Sequence, residues 1–196
     1  GDAHAENVAV IDGEFHFDYV KGALRISNIK LGIAGLHNIE NAVAAITVAL
    51  LLDIEQDKIV KALANFRGAK RRFEYIFRNE KSVYIDDYAH HPEELRAFLS
   101  SLRKLYPSKK LTVVFQPHLF SRTRDFVDGF AEVLGMADEL LLMEIYPARE
   151  LPIEGVTSAW LLDKIELENK RVVSPQEVLA LVESESPELV VTVGAG

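Results

Sequence analysis

Val83-Tyr84-Ile85-Asp86-Asp87-Tyr88-Ala89-His90-His91-Pro92-Glu93-Glu94 decides the fold class of this chain. The apolar, β-prone Val83-Tyr84-Ile85 reads as a buried strand. The residues after Pro92 read as a helix, because Leu95, Phe98, Leu99, Leu102 and Leu105 fall on one helical face. Pro92 suits the first helical position, where a missing N–H costs nothing, and Glu93 and Glu94 suit the positive end of the helix dipole. Polar residues this dense, between a strand and a helix, make poor core. Asp87, Tyr88, His90 and His91 are therefore expected on a loop at the carboxyl end of a strand, where open α/β sheets place their ligand sites.

Towards the C-terminus the same alternation repeats. Strands are expected at about 73–78, 82–86, 111–115, 139–143, 171–173 and 189–193, and helices at about 92–105, 123–135, 157–166 and 175–184. Ser174-Pro175-Gln176-Glu177 is a capping box with proline at the first helical position. Such alternation implies βαβ units, right-handed crossovers and a Rossmann-like, mostly parallel α/β sheet.

Towards the N-terminus the pattern changes. Residues 7–31 read as β-structure: Val8 and Val10 alternate, Asp12-Gly13 turns a hairpin, Phe15, Phe17 and Tyr19 alternate again, and Lys21-Gly22 makes a second turn. A compact link, Gly32 to Gly35, leads to an almost continuously apolar run from Ile39 to Leu52, expected as a helix buried on most sides with Asn38 as its N-cap. A second helix is expected over 55–65. Arg67-Gly68-Ala69-Lys70-Arg71-Arg72 then shifts the composition, and a domain boundary is placed there, giving domains 1–67 and 68–196.

Composition narrows the function. With 22 basic and 30 acidic residues the net charge is −8, and no Lys/Arg cluster is dense enough to follow a phosphate backbone, so nucleic acid is not an expected partner. The absence of cysteine rules out disulfides and thiolate metal sites and fits a reducing compartment. No apolar run reaches membrane length and no signal peptide is recognisable. The start at Gly1-Asp2-Ala3, without methionine, suggests a piece of a longer protein. No GxxxxGK followed by Ser or Thr occurs, so the chain carries no P-loop of its own.

Four polar clusters follow successive strands: Asp87-Tyr88-Ala89-His90, then Gln116-Pro117-His118 with Ser121-Arg122-Thr123-Arg124, then Tyr146-Pro147-Ala148-Arg149-Glu150, and Gly194-Ala195-Gly196. Parallel strands place all four on one edge, where they can line a single site. Arg122 and Arg124, read as a pair one turn apart at a helix start, suit a carboxylate or phosphate. Each residue also has a plain structural reading. Asp87 serves equally as a cap for the next helix, His90 and His91 as solvated loop residues, Arg122 and Arg124 as surface charges, and His37 and Asn41 as helix-start polar groups. No third ligand at metal spacing accompanies the histidines, so no metal site is expected.

Together these segments resemble the Mur ligases, ATP-dependent amide-forming enzymes of bacterial peptidoglycan synthesis, along nearly the whole chain. Gly35 to Ala42 is similar to the family's GxHNxxNA segment, Arg71-Arg72-Phe73 to its RRF junction, Asp86 to Pro92 to its DDYxHHP loop, and Phe115 to Asp125 to its FQPHxxxRTRD segment. Tyr146 to Glu150 and Thr192 to Gly196 resemble its YPARE and TVGAG segments. The last four point within the family to the branch that joins L-alanine to UDP-N-acetylmuramate.

The resemblance implies that residues 1–67 close a central ATPase domain whose P-loop lies upstream, and that residues 68–196 form the C-terminal ligase domain. It implies ATP and Mg2+ as cofactors and a cytoplasmic setting. It puts His37, Asn38, Asn41, Arg72 and Asp87 on ATP, and Tyr88, His90, His118 and Arg122 on the incoming alanine, with His90, Arg122 and Asp87 in the catalytic machinery. Leu119 stands where some members carry arginine. The implied chemistry converts a carboxylate into an acyl phosphate that an amine attacks, so the protein chiefly positions reactants and stabilises charge. Two other readings stay open: a sister ligase that reattaches recycled tripeptide, and a non-catalytic flavodoxin-like binding module using the same loop edge.

Overall fold

The computed structural model describes residues 2–195, so Gly196 of the last cluster lies outside the described residues. The chain forms two compact units. One runs to Phe73 and includes Ser100–Pro107, and the other comprises Glu74–Leu99 and everything from Ser108 on.

In the first unit β1 (His4–Ile11), β2 (Glu14–Lys21) and β3 (Leu24–Lys30) form an antiparallel sheet in chain order. The Asp12-Gly13 turn has both residues at positive φ, 53° and 74°, the twist that suits a two-residue hairpin. Alternation then buries Phe15, Phe17 and Tyr19 on one face. Each such burial contributes roughly 1.5–3 kcal/mol. Asn7 and Asn28, at φ 51° and 54°, sit where the strand register shifts.

Helix α1 (Leu36–Leu51) packs on this sheet through Ile39, Ala42, Val43 and Ile46, the i, i+3, i+4, i+7 stripe, and α2 (Gln56–Asn65) follows it. Two expectations are corrected here. The cap residue of α1 is Gly35 at φ 111°, three residues before Asn38, and Asn38 instead lies within the first turn with its amide Nδ2 donating to the Ala34 carbonyl at 2.6 Å. The Leu36 N–H is taken by the Ser101 hydroxyl at 2.8 Å. Nor is α1 buried on most sides: Val48 and Leu51 are 56% and 70% exposed, because only one stripe of the helix meets this three-stranded sheet.

The second unit holds a six-stranded sheet in the order β4 (Glu74–Arg78), β5 (Val83–Asp87), β9 (Leu189–Gly194), β6 (Leu111–Gln116), β7 (Glu139–Leu142), β8 (Lys170–Val172). All neighbours are parallel except β4, which pairs antiparallel at the edge. β6 and β7 are buried almost throughout, the pattern of strands covered on both faces. Phe115 packs its ring against Phe130 of α5 (Val127–Leu134) on one face, the centroids 5.5 Å apart and the rings tilted by 34°. Its neighbour Val114 turns to the other, joining Leu141, Val173 and Val190 under α7 (Pro175–Glu185). α3 (Pro92–Leu105), up to Leu99, belongs to this unit, and its Pro92 lies so near Gly129 of α5 that a Cβ there would stand 3.1 Å away.

The helix expected over 123–135 is two helices, α4 (Phe120–Asp125) and α5, broken at Phe126 where φ is −116°. α6 (Ser158–Lys164) is capped by the Thr157 hydroxyl, and the Ser174–Glu177 capping box of α7 is formed on both sides. No described helix is long and apolar enough to cross a membrane.

Candidate functional site

Because β5, β9, β6 and β7 run parallel, the loops after all four leave the same edge of the second unit. They also touch. The Tyr88 and His90 rings meet edge-on at 5.1 Å, His90 and His118 lie 6.3 Å apart, and His118 stacks on Tyr146 at 5.7 Å. Leu119 N–H donates to the Tyr146 carbonyl and Tyr146 N–H to the Pro117 carbonyl, zipping the loops after β6 and β7 together. Gly194, at φ 140°, lets the end of β9 pass so near β6 that a Cβ would stand 2.8 Å from the Gln116 carbonyl oxygen.

Asp87 is buried at the end of β5, and its Oδ1 accepts the Ala89 N–H at 2.8 Å, which turns the loop back on itself. The N–H groups of His90 and His91, ahead of α3, are received by Glu94 Oε2. Capping of α3 thus falls to a residue of its own first turn. Tyr88 is half-buried beside His90. His90 Nδ1 lies 2.8 Å from the Tyr88 carbonyl, and since a carbonyl only accepts, Nδ1 is the donor and Nε2 is the acceptor nitrogen of the neutral tautomer. His91 is occupied otherwise, against the Phe126 ring at 4.5 Å.

Arg122 and Arg124 do not act as a pair. Residues two apart on a helix face different ways. Arg124 is half-exposed and bonds Asp125, whereas Arg122 turns inward and its Nη1 is buried with no hydrogen-bond partner among the described residues. His118 Nδ1 is in the same condition. Burial first, then the Arg122 guanidinium and the His90 ring, push the His118 imidazole below its ordinary pKa, against an opposing pull from Glu150. An imidazole of lowered pKa beside a guanidinium with one buried, unpartnered nitrogen is a place for an anion of modest size.

Glu150 is the residue whose role sequence reasoning missed. Its carboxylate accepts the Ser121 N–H at 3.0 Å and the Ser121 hydroxyl, and these bonds hold its pKa below the ordinary glutamate value. A signal was available: the N-cap position of α4 is Leu119, which has no side chain able to cap, so the helix start needs an acceptor from elsewhere.

In the first unit His37, Asn38 and Asn41 share the start of α1. The buried Asn38 amide bonds Ala34 on one side and accepts the Asn41 Nδ2 on the other at 3.2 Å, leaving Asn41 exposed at the helix surface. The His37 ring lies over Gly35, where a Cβ would be 2.8 Å from its Cε1. Arg72 is exposed between Arg71 and the buried Phe73, both at positive φ.

Comparison with known proteins adds independent support. The sequence profile of the family described as "Mur ligase, glutamate ligase domain" matches residues 71–196. A UDP-N-acetylmuramate–L-alanine ligase of Cytophaga hutchinsonii is 51% identical over 195 residues, all of this chain and 42% of that protein, and one of Flavobacterium johnsoniae is 48% identical over 192 residues, 98% of this chain and 43% of that protein. The chain therefore spans under half the length of these curated relatives. The crystal structure of UDP-N-acetylmuramate-alanine ligase from Thermotoga maritima superposes with a TM-score of 0.81 at 29% identity, over 98% of this chain and 42% of that one. A folylpolyglutamate synthase of Mycobacterium tuberculosis, 15% identical with a TM-score of 0.72, shares the fold.

Proposed function

From the premise that this chain belongs to the Mur ligase family, we propose that it is the amino-acid-receiving part of an ATP-dependent ligase joining L-alanine to UDP-N-acetylmuramate in peptidoglycan synthesis. Residues 1–67 are then the end of a central ATPase domain and 68–196 the ligase domain. The fragment by itself is inactive, since the P-loop and most nucleotide-sugar contacts belong to the rest of the protein. The alanine-adding relatives over the whole chain support the amino acid, and the family supports ATP.

One observation carries the chemistry: the buried, unpartnered Arg122 Nη1 and His118 Nδ1 at the rim. In this reading they receive the carboxylate of alanine, Arg122 through charge-assisted hydrogen bonds that a lysine cannot reproduce in the same geometry. The amine is left free to attack the activated carboxyl, phosphate leaves, and a proton is shed from the nitrogen. His90, whose Nδ1 is tied to the Tyr88 carbonyl so that Nε2 is the nitrogen left for the reaction, is the group positioned to take it. Asp87 fixes the loop carrying both.

For ATP, His37, Asn38 and Asn41 offer an aromatic ring and amide groups, the chemistry that recognises a nucleobase, with Arg72 of the same unit as a further contact. Asn38 acts there by holding Asn41. Magnesium accompanies ATP in this proposal, but no cluster of three His, Asp or Glu side chains fit for a metal is found among the described residues, so no step is drawn through it.

The test is a coupled assay of ADP release by the full-length protein, offered alanine, glycine, serine, meso-diaminopimelate or a recycled tripeptide with UDP-N-acetylmuramate. Preference for alanine is expected. Preference for tripeptide or a bulky amino acid refutes the substrate, and no turnover with any of them refutes the ligase.

A further inference from the structure

Helix α4 carries Arg122 yet is only six residues long, and its N-cap Leu119 sits at φ 74°, a left-handed conformation that a branched side chain adopts only under constraint. Short helices do not hold their own shape. The constraint comes from the loop after β7, where Ala148, at φ 50°, and the Glu150 N–H to Pro147 carbonyl bond fold the chain so that Glu150 meets Ser121.

We propose that Glu150 is a positioning residue: by gripping Ser121 from the neighbouring loop it fixes α4, and with it Arg122, in the orientation that receives the amino acid carboxylate. Both Glu150 oxygens are engaged by Ser121, one by its N–H and one by its hydroxyl. The carboxylate therefore holds the arginine-bearing helix while Arg122 Nη1 stays unpaired for a ligand. The Thr123 hydroxyl, bonded to the Leu119 carbonyl at 2.8 Å, locks the same turn from the other side. The inference deepens the ligase reading and rests on it.

In the full-length enzyme, E150A should raise KM for the amino acid about tenfold or more, as the loss of a helix-fixing, charge-assisted contact implies, with KM for ATP within about twofold of wild type. E150Q, whose amide oxygen still accepts one Ser121 bond, should fall between wild type and E150A, and S121A should give a rise of about threefold. An E150A or E150Q enzyme with unchanged amino acid KM, or with both KM values raised alike, overturns the proposal. Should E150A fail to fold, E150Q decides alone by the same two readings. A wild type inert towards every amino acid sinks the ligase reading and this inference with it, whereas an active wild type with an indifferent Glu150 sinks only the inference.

Discussion

Replacing Arg122 by methionine should weaken amino acid binding while leaving the fold intact or firmer. The unusual sign follows from Nη1, which is buried and without a partner. A buried unsatisfied donor costs about 1–3 kcal/mol, and methionine of similar length removes that cost while keeping the packed stem. In the liganded state the same nitrogen makes a charge-assisted bond to carboxylate of about 1.5–3 kcal/mol, so its loss should raise KM for alanine by about 10- to 150-fold. Arg122→Lys should lie between, because a point charge replaces a planar fork. The measurements are steady-state kinetics on the full-length enzyme and thermal unfolding of the present chain. An R122M variant with wild-type KM refutes the reasoning. So does one that unfolds many degrees lower, since Arg122 would then be holding the fold.

Other consequences are independent of turnover. The His118 ring should titrate below the ordinary histidine value by NMR, and R122M should raise its midpoint, because the guanidinium is the second cause of the depression after burial. The sign for stability follows: folded His118 stays neutral where the unfolded ring is protonated, so its contribution is present above the ordinary value and lost as pH falls from there through the folded value. Gly194→Ala should cost about 1–3 kcal/mol of stability, read as a lower urea midpoint, since the added Cβ meets the Gln116 carbonyl at φ 140°. Ser174→Ala should cost about 1 kcal/mol by the same measurement through loss of the α7 cap.

Most of the second unit was readable from local signals. The apolar run at Val83, the proline-led helix after it and the Ser174 box are each stated within a few residues, and the structure forms all three. Strand order was not readable, because β9 enters between β5 and β6 through pairings more than 70 residues apart in sequence. The start of α1 was misplaced because Asn38 outranks Gly35 as a cap by side-chain chemistry, while the tertiary hydroxyl of Ser101 made a side-chain cap there unnecessary. Arg122 and Arg124 look equivalent in sequence, but two positions apart on α4 they face different ways, one with a buried Nη1 and the other on the surface. Glu150 stood in plain sight within a polar cluster, but its partner lies 29 residues away.

The claim that a carboxylate seats on Arg122 and His118 is tested most directly by NMR titration of the isotope-labelled chain with L-alanine and, separately, with L-alaninamide. Alanine should shift the Arg122 guanidinium and the His118 and His90 ring resonances at the rim, and alaninamide, which lacks the carboxylate, should leave them in place. Equal shifts with both, or shifts confined to residues away from these loops, would contradict the account.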